Sequence, residues 1–504
     1  MLCKKNNHHK NIINPEHEYE IRKKKLIEME KQGFNFPNTF KINTNITDIN
    51  KKYSRFDNTE LLKKKKFFNV SGRIIKKRHM GKATFLVIQD MLETIQIYVT
   101  EKKISYDFYR NTFKKWDIGD IIFTTGTIFK TKTGQLSIYC SEINILSKAL
   151  QPFPNKFHGL LNQDIKYRKR YLDLLSNVNV MKIFYKRSKI LSIIRNFMNK
   201  NNFLEVETPM MQHIPGGASA RPFITHHNSL DLKMYLRISP ELYLKRLIIG
   251  GFSKIYEMNK NFRNEGISYK HNPEFTMMEL YITYADYKDL MIFIKELLQH
   301  IVYQTTGNYI LNYQNNEFDL KKPFKILTIK DAILHYNPKI KHSDLLNISE
   351  VQKLLYHHNI PIKKNWSLEK MIIKIFEHTT ENKIIEPTFI TEYPTETSPL
   401  ARKNDFNKNL VDRFEFFIGG LEIGNGFSEL NNPIEQKERF LKQKKLNQMN
   451  QKKEPYDKEY ILAMEYGMPP TAGLGIGIDR LIMVLTNQKN IRNVILFPTL
   501  RPIK

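Results

Sequence analysis

The sequence has only two cysteines, Cys3 and Cys140, among its 504 residues. Two cysteines form neither a disulfide framework nor a cysteine-based zinc site, so both kinds of stabilisation are excluded. No apolar run is long enough for a membrane-spanning helix, and the first residues, MLCKKNNHHKNIIN, lack the apolar stretch of a secretory signal. We therefore expect a cytoplasmic protein of a reducing compartment with no membrane partner.

Two common nucleotide-binding signatures are also missing. The phosphate-binding pattern G-x-x-x-x-G-K-[ST] does not occur. The glycine-rich segment AGLGIGIDRLIMVL, residues 472–485, is not the dinucleotide-binding fingerprint, because Ile478 stands where its third glycine is required. Any use of ATP by this chain must therefore depend on another type of site.

Acidic residues are scarce relative to basic ones, 51 against 80, which gives a formal net charge of +29. Such a charge attracts polyanions, with nucleic acid as the first partner to consider and an anionic membrane surface as the second. A compositional alternative exists, because the chain is rich in Lys, Asn and Ile throughout, as AT-rich coding would produce. The charge is thus compatible with nucleic-acid binding without being specific for it.

The first half of the chain has the pattern of a β-barrel. Alternating segments predict strands at residues 70–76, 84–89, 94–99, 120–130 and 136–146, with a helix at residues 105–115. Five strands with a helix after the third is the order of an OB-fold. Basic residues beside an aromatic one (Arg78, Lys82 and Phe85) suit single-stranded nucleic acid. The alternative is that Phe85 only fills the barrel.

Length and composition predict more than one compact unit. We expect an N-terminal helix and basic extension at residues 1–60, the OB-fold at 61–150, a linker at 151–180 and a second domain at 181–504. Within the last of these, about 292–380 read as an insertion without recognisable chemistry. The expected fold class is α+β.

The second domain is organised around residues 262–281, FRNEGISYKHNPEFTMMELY, which we predict to be two strands joined by a loop. On the second strand Phe275, Met277, Glu279 and Tyr281 alternate onto one face. Arg263 and Glu265 are two residues apart and are predicted to share a face of the first strand. A strand face that carries paired charges usually contacts a charged ligand. The alternative is a solvated hairpin at a sheet edge.

A second hairpin is predicted at residues 413–430, RFEFFIGGLEIGNGFSEL, with its turn at the two adjacent glycines. Glu415 and Glu422 would lie opposite or diagonal to one another, which is destabilising unless a cation lies between them. Oxygen ligands without His or Cys favour Mg²⁺. The alternative is a pair of solvated glutamates. Further along, Asn425, Phe427 and Glu429 share one face.

Glycines recur at every second residue near the C-terminus, at Gly473, Gly475 and Gly477. One face of this predicted strand would then carry no side chains and could provide a flat floor for a planar ring. Close packing of the backbone is the alternative explanation.

Together these segments resemble the class II aminoacyl-tRNA synthetases over nearly the whole chain. Residues 262–265 resemble the second motif of that class, GLGIGIDR the third, and the helix and strand ending at Pro209 the first. Several segments resemble the bacterial-type lysyl-tRNA synthetases of subclass IIb, in that family's order: RPFITHHNSLDL, HNPEFTMMELY, TFITEYP, SPLAR, GNGFSELN and PPTAGLGIGIDR. The resemblance implies a ligase that activates L-lysine with ATP and transfers it to tRNA(Lys).

The resemblance also implies roles for matching positions. Arg263 and Arg480 would be catalytic, and Glu415 and Glu422 would hold Mg²⁺. The ATP-binding residues would be Arg263, Glu265, His271, Asn272, Phe275, Glu415, Glu422 and Arg480. The lysine-binding residues would be Gly217, Glu241, Arg263, Glu279, Tyr281, Asn425, Phe427 and Glu429. The anticodon-binding residues would be Arg78, Phe85, Gln96 and Gln135.

The resemblance further implies a catalytic domain with a central antiparallel sheet flanked by helices, and a homodimer formed through residues 183–209. The chain departs from the family at two of the positions compared. Gln135 stands where the family has Glu in the barrel turn, and Lys270 stands where Arg is usual. A bidentate phosphate contact would become a point charge at Lys270.

Other functions remain as alternatives. An aspartyl- or asparaginyl-type synthetase would carry Gln at position 241, where this chain has Glu. The presence of Glu279 also argues against an enzyme of that type. A non-catalytic RNA-binding paralogue would be expected to lose the ATP-site residues, which are all present. A lysyl-transferase acting on a protein would lack the barrel, and HMGK at residues 79–82 lacks the second His of the class I signature.

Overall fold

The computed structural model describes residues 15–64, 66–152, 162–363, 366–449 and 456–503. The chain divides into two compact units, one of Met1–Gln163 with Tyr171–Lys182 and one of Asp164–Arg170 with Ile183–Lys504. None of the helices in the described ranges is long and apolar enough to cross a membrane.

The first unit contains a closed barrel of five strands. They are β1 (Phe67–Met80), β2 (Ala83–Gln89), β3 (Thr94–Thr100), β4 (Ile121–Lys130) and β5 (Leu136–Ser147). The strand order is β1-β2-β3-β5-β4, with β3 and β5 parallel and the other neighbours antiparallel. Closure leaves no free sheet edge, and the predicted OB-fold barrel is confirmed.

Four helices accompany the barrel: α1 (Pro15–Lys31), α2 (Ile46–Tyr53), α3 (Asn58–Lys64) and α4 (Glu101–Ile104). Ile46, Ile49 and Leu61 are buried in the same apolar core as the barrel strands. The boundary that we expected at residue 60 therefore does not separate the helices from the barrel.

The segment between β3 and β4 differs from the single helix predicted at residues 105–115. α4 lies before it, and Ser105 then takes a φ of 73°, which an α-helix cannot accommodate. A π-helical turn at Phe108–Thr112 and a 3₁₀ turn at Phe113–Lys115 follow. A series of short helical turns therefore replaces the single helix that was predicted.

The described part of the second unit contains thirteen strands in chain order: β6 (Leu204–Glu205), β7 (Met211–Gln212), β8 (Phe223–His227), β9 (Leu232–Leu236), β10 (Lys254–Phe262), β11 (Glu274–Thr283), β12 (Ile310–Tyr313), β13 (Asn316–Asp319), β14 (Lys325–Thr328), β15 (Thr388–Pro394), β16 (Leu410–Ile418), β17 (Leu421–Ser428) and β18 (Thr471–Gly477). Eight of them form one sheet in the order β14-β15-β16-β17-β18-β11-β10-β6. The six central strands are antiparallel, as predicted, and the outermost pair at each edge is parallel.

Helices pack on one face of this sheet. In chain order, the α-helices that the structure describes after the barrel are α5 (Gln163–Arg168), α6 (Arg170–Ser176), α7 (Val178–Lys200), α8 (Glu241–Ile249), α9 (Tyr287–Thr306), α10 (Ile329–Tyr336), α11 (Ile348–His357), α12 (Leu368–Thr379), α13 (Pro433–Met449), α14 (Lys458–Glu465) and α15 (Ile478–Leu485), and most of α6 with the start of α7 belongs to the first unit. Ile194 of α7, Leu297 of α9 and Ile482 of α15 share one apolar core with Leu280 of β11. This core supports one face of the sheet.

The expected insertion at about 292–380 is only partly separate. Most of α9 lies within it, yet α9 packs in the main core, and β14 forms an edge of the main sheet. Helices α10, α11 and α12 instead contribute Ile333, Leu355 and Phe376 to a second apolar core.

Arg237 and Glu257 form a buried ion pair in the second unit, at 2.7 Å with each side chain 1% exposed. Arg237→Met would leave the Glu257 carboxylate buried and unpaired. We expect the free energy of unfolding to fall by about 3–5 kcal/mol, measured by urea unfolding followed by circular dichroism.

The control is Lys353→Ala, which removes an exposed partner of Glu350 at 2.8 Å. Exposed pairs contribute about 0–1 kcal/mol, so this variant should unfold close to the wild type. Equal, small losses in both variants would contradict the assignment of Arg237 as a buried stabilising partner.

Candidate active site

A cavity of about 1210 Å³ opens on the second face of the large sheet. Side chains from α8, β11, β17 and β18 line it, together with a loop that carries Gly216 and Gly217. All eight positions predicted to bind lysine are among its lining residues: Gly217, Glu241, Arg263, Glu279, Tyr281, Asn425, Phe427 and Glu429. The structure thus brings together residues that are up to 212 positions apart in the sequence.

The predicted alternation along β11 is confirmed. Met277, Glu279 and Tyr281 face the cavity, whereas Met278 and Leu280 are buried in the apolar core on the other side. The prediction for the preceding strand was wrong, because β10 already ends at Phe262. The chain turns there, with the Glu265 amide donating to the Arg263 carbonyl at 2.8 Å, so these two residues do not share a strand face.

Three carboxylates, Glu241, Glu279 and Glu429, lie at one end of the cavity and are each at most 6% exposed. Ser239 Oγ donates to Glu279 Oε1 at 2.8 Å, and the Tyr281 hydroxyl donates to Glu279 Oε2 at 3.3 Å. Burial raises the pKa of Glu279 to about 7, and the neighbouring Glu241 contributes to this shift. Carboxylates gathered in a dry site favour a cationic ligand, which would stabilise their charged forms.

Lys245 lies among these carboxylates and was not predicted. Its Nζ donates to Glu241 Oε1 at 2.6 Å and forms an ion pair with Glu429 Oε2. The signal was present in the sequence, because Lys245 follows Glu241 by four residues on α8, the spacing of neighbours on a helix face.

Two glycines make room for the carboxylates. Gly217 has a φ of 82°, and a Cβ there would lie 2.9 Å from both Glu241 Cβ and Ser239 Oγ. A Cβ at Gly473 would lie 2.1 Å from Glu429 Oε1. The glycine pattern predicted a strand face without side chains. This prediction is wrong at Gly473, where the side chains of Glu429 and Tyr281 occupy the space. At Gly477 no atom comes closer than 3.7 Å, so space remains there.

Arg263 lies between the carboxylate end and a second charged cluster. Its guanidinium carbon is 5.1 Å from the centroid of the Phe275 ring. Its Nε is buried and has no hydrogen-bond partner within the described ranges. A buried donor left in this way can bind an anionic ligand at no cost to an internal contact.

The second cluster is centred on the β16–β17 hairpin, which turns at Gly419 and Gly420 as predicted. Glu415 pairs with Asn425, and Glu422 pairs with Phe417, so the two glutamates are diagonal neighbours. Burial and the proximity of Glu422 raise the pKa of Glu415 to about 7. Burial opposes ionisation of Glu422, but Arg480, Arg413 and Arg263 together lower the pKa of that carboxyl.

Each of these glutamates has an arginine partner. Arg413 donates to Glu415 Oε1 at 2.6 Å, and Arg480 donates to Glu422 Oε2 at 3.0 Å. The described residues contain no cluster of three or more His, Cys, Asp or Glu that could hold a metal ion. Two oxygen-donor carboxylates nevertheless fit Mg²⁺, which usually takes its remaining ligands from phosphates and water.

The loop between β10 and β11 contacts this cluster. Burial and Arg480 lower the pKa of His271 to about 4, so its imidazole is neutral at pH 7. Arg480 Nη2 and His271 Nε2 are 3.1 Å apart, which the neutral ring can bridge as an acceptor. Asn272 is buried, donates to the Glu274 carbonyl and accepts from the Thr499 amide. Its side chain thus holds the loop.

Lys270, also in this loop, lies 3.6 Å from Glu381 Oε2. Burial and the neighbouring Glu415 raise the pKa of Glu381 to about 8. Neither Glu381 nor Arg413 was predicted to belong to the site. Arg413 could have been found, because it lies two residues before Glu415 on the same strand face. Glu381 comes directly after the segment treated as an insertion, and no local signal marks it.

The barrel carries an aromatic row on its outer face. Arg78, Phe85, Tyr98 and Tyr139 pair in sequence across β1, β2, β3 and β5. The ring centroids of Phe85 and Tyr98 are 4.8 Å apart, and those of Tyr98 and Tyr139 are 5.6 Å apart. Phe85 is half-buried and lies outside the barrel core, so the alternative that it fills the interior is wrong.

The other two predicted anticodon residues lie on the same barrel. Gln96 of β3 is opposite Val87 and Ser137, on the face that carries Tyr98. Gln135 is exposed in the turn between β4 and β5, where its backbone amide donates to Thr131 Oγ1 at 3.1 Å. Tyr98 and Tyr139 were not predicted, although their alternation with buried residues marks them as outward-facing.

Comparison with known families yields two matches. Residues 162–501 match the family "tRNA synthetases class II (D, K and N)". Residues 68–146 match "OB-fold nucleic acid binding domain". The second range corresponds to the barrel, and the first contains every residue that lines the cavity.

Comparison with individual proteins yields relatives along the whole chain. A lysine–tRNA ligase of Buchnera aphidicola from Acyrthosiphon pisum is 57% identical over 488 residues, 97% of this chain and 96% of the relative. One from the Schizaphis graminum strain is 55% identical over 504 residues, all of both chains. A heat-inducible lysine–tRNA ligase of Escherichia coli K12 is 52% identical over 484 residues, 96% of each chain.

Glu279 should make stability depend on pH. Its pKa is about 7 in the folded protein against a usual 4.5, so the folded state holds a proton that the unfolded chain releases. The resulting stabilisation is complete below pH 4.5 and is lost as pH rises through 7. Relative to wild type, Glu279→Gln should gain about 3 kcal/mol in unfolding free energy between pH 5 and 8 without ligands.

Urea unfolding at several pH values measures this difference. Glu350→Gln is the control, because the Glu350 side chain is half-exposed in a surface ion pair and its substitution should leave the pH profile unchanged. A profile for Glu279→Gln that runs parallel to that of the wild type would show that Glu279 is ionised in the free protein.

Proposed function

The chain belongs to the class II tRNA synthetases (D, K and N), and on this premise we propose that it acts as a lysine–tRNA ligase in protein synthesis. It activates L-lysine with ATP to lysyl-adenylate and transfers the lysine to the 3′ end of tRNA(Lys). The observation that carries the proposal is one cavity with three carboxylates at one end and, beside them, Arg263, whose buried Nε has no hydrogen-bond partner among the described residues.

The carboxylate end of the cavity suits the lysine ammonium groups. A buried ammonium costs several kcal/mol unless it is paired, and Glu241, Glu279 and Glu429 supply the pairing. Tyr281, Asn425, Phe427 and Gly217 complete the lining. The same carboxylates would repel an acidic amino acid, which disfavours an aspartate substrate.

Arg263 binds both substrates in this proposal. It contacts the lysine carboxylate and the ATP α-phosphate, and holds them in line for attack. A carboxylate oxygen of lysine attacks the α-phosphorus, the bond to the β-phosphate breaks, and pyrophosphate leaves. No side-chain nucleophile takes part. Positioning of the two substrates and stabilisation of charge by Arg263 lower the barrier.

The remaining ATP contacts come from the loop and the second cluster. Phe275 would lie against the adenine, with Arg480 near the other face of the ring and the γ-phosphate. Glu265, His271 and Asn272 would complete the nucleotide site. Glu415 and Glu422 would hold Mg²⁺, which when bound neutralises negative charge on the phosphates.

Transfer follows in the same cavity. The terminal ribose hydroxyl of the tRNA attacks the carbonyl carbon of lysyl-adenylate, an ester bond forms, and AMP leaves. Arg78, Phe85, Gln96 and Gln135 of the barrel would contact the anticodon. A homodimer formed through residues 183–209 and a cytoplasmic location complete the proposal.

The assignment of Arg263 predicts a loss of adenylate formation. Among the standard amino acids, lysine alone should support ATP–pyrophosphate exchange by the wild-type protein. Arg263→Ala should lower that exchange by at least about 100-fold, because it removes charge stabilisation from the transferred group. Arg110→Ala, which removes a half-exposed arginine of the first unit, should leave exchange unchanged. Full lysine-dependent exchange by Arg263→Ala would overturn the assignment.

The assignment of the barrel face predicts a defect confined to tRNA. Phe85→Ala should raise the KM for tRNA(Lys) in aminoacylation by roughly 5–100-fold, because stacking of a base on an aromatic ring contributes about 1–3 kcal/mol. Exchange without tRNA should not change. Tyr106→Ala is the matched control, since Tyr106 is exposed elsewhere on the first unit. A normal KM in Phe85→Ala would remove this ring from the anticodon contacts.

A further inference from the structure

Lys245 is a fully buried cation that does not itself line the cavity but pairs with carboxylates at its end. Burial alone would lower the pKa of its ammonium, but Glu241 and Glu429 outweigh burial and raise it, so Lys245 remains charged. Its Nζ lies 5.5 Å from the centroid of the Phe427 ring. The adenylate-forming steps derived above make no use of this residue.

The formal charges at this end of the cavity explain why a resident lysine is useful. Glu241, Glu279 and Glu429 carry three negative charges, and Lys245 removes one. Two negative charges remain, and a lysine substrate brings two ammonium groups, while its carboxylate faces Arg263. The count rests on the proposed function, because it takes lysine as the ligand.

The contacts of Lys245 also fix where the carboxylates point. Its ammonium group forms ion pairs with Glu241 Oε1 and with Glu429 Oε2. Glu429 Oε1 is buried above Gly473 and has no hydrogen-bond partner among the described residues. An oxygen that is oriented and left unbonded in this way is an acceptor for a ligand ammonium.

We propose that Lys245 is a positioning and specificity-determining residue, which aims Glu241 and Glu429 and sets the pocket charge to match an amino acid with two ammonium groups. The substrate class that this charge selects is a basic amino acid whose side chain carries one positive charge.

Removal of Lys245 would leave three carboxylates with no cation between them. The variant would therefore take up a proton, which the ammonium groups of lysine must displace, so its binding of lysine would weaken steeply as pH falls. In the wild type the same trend is expected but is shallower, because Lys245 favours the ionised form of Glu429; the proton of Glu279, whose pKa is about 7, must be displaced in both. The ionisable groups that face Lys245 and its partners are Glu241, Glu279, Glu429, Tyr281, Tyr460, Arg237, Arg246 and Arg263.

The test measures the KM for lysine and for ATP in the exchange reaction at pH 6 and pH 8. Lys245→Met should raise the KM for lysine about tenfold or more at pH 6, and less at pH 8, because the proton that lysine must displace is held more firmly at the lower pH. The KM for ATP should stay within about twofold of the wild type, as the change does not touch the second cluster.

A second variant separates charge from packing. Lys245→Met with Glu241→Gln returns the pocket to two negative charges, so its KM for lysine at pH 6 should be lower than that of Lys245→Met alone. If Lys245 only fills space, the second substitution should raise the KM further. If Lys245→Met does not fold, the double variant is compared with Glu241→Gln, which has one net negative charge in the pocket: a lower KM for lysine in the double variant supports the role of charge, and a higher KM contradicts it.

The outcomes distinguish this inference from the proposed function. A wild-type protein without lysine-dependent exchange would contradict the proposed function itself. Lysine-dependent exchange in the wild type with an unchanged KM in Lys245→Met, or with a KM increase that is independent of pH and worsened by Glu241→Gln, would overturn the role of Lys245.

Discussion

The cavity depends on one physical constraint: several like charges must stay close together in a site that excludes water. Isolated carboxylates in such a site would take up protons, and the raised pKa of Glu279, at about 7, shows how strongly burial acts there. Neighbouring residues stabilise these charges and make room for them. Ser239 and Tyr281 donate hydrogen bonds, Lys245 supplies a cation, and the missing side chain of Gly473 gives Glu429 its place.

At the other end of the cavity two carboxylates are again close together, but their partners are arginines. Arg413 pairs with Glu415 and Arg480 pairs with Glu422, so a phosphate bound there would contact both cations and carboxylates. The antiparallel order β17-β18-β11 places both ends on one continuous surface. Arg263 lies where the ends meet, and its buried Nε has no hydrogen-bond partner among the described residues, which is why we propose that this one guanidinium contacts both substrates.

The sequence predicted those parts of the structure that have a local cause. The period of two along β11, the glycine turn of the β16–β17 hairpin and the barrel strands all follow from neighbouring residues. Contacts between distant segments could not be derived in this way. Glu381 reaches Lys270 across 111 positions, and the exit of the chain from β10 at Phe262 separates Arg263 from Glu265. The glycine floor failed at Gly473 because Glu429 arrives from another strand.

Lys270 shows how such a distant contact changes the meaning of a substitution. An arginine at this position would bind phosphate through two hydrogen bonds, and lysine offers only a point charge. Its partner Glu381 has a pKa of about 8, raised by burial and by Glu415, so at neutral pH this carboxyl is mostly protonated. A protonated carboxyl does not neutralise an ammonium group. Glu381 therefore does not compensate the ammonium group of Lys270, which remains available to a phosphate although the planar guanidinium has been lost.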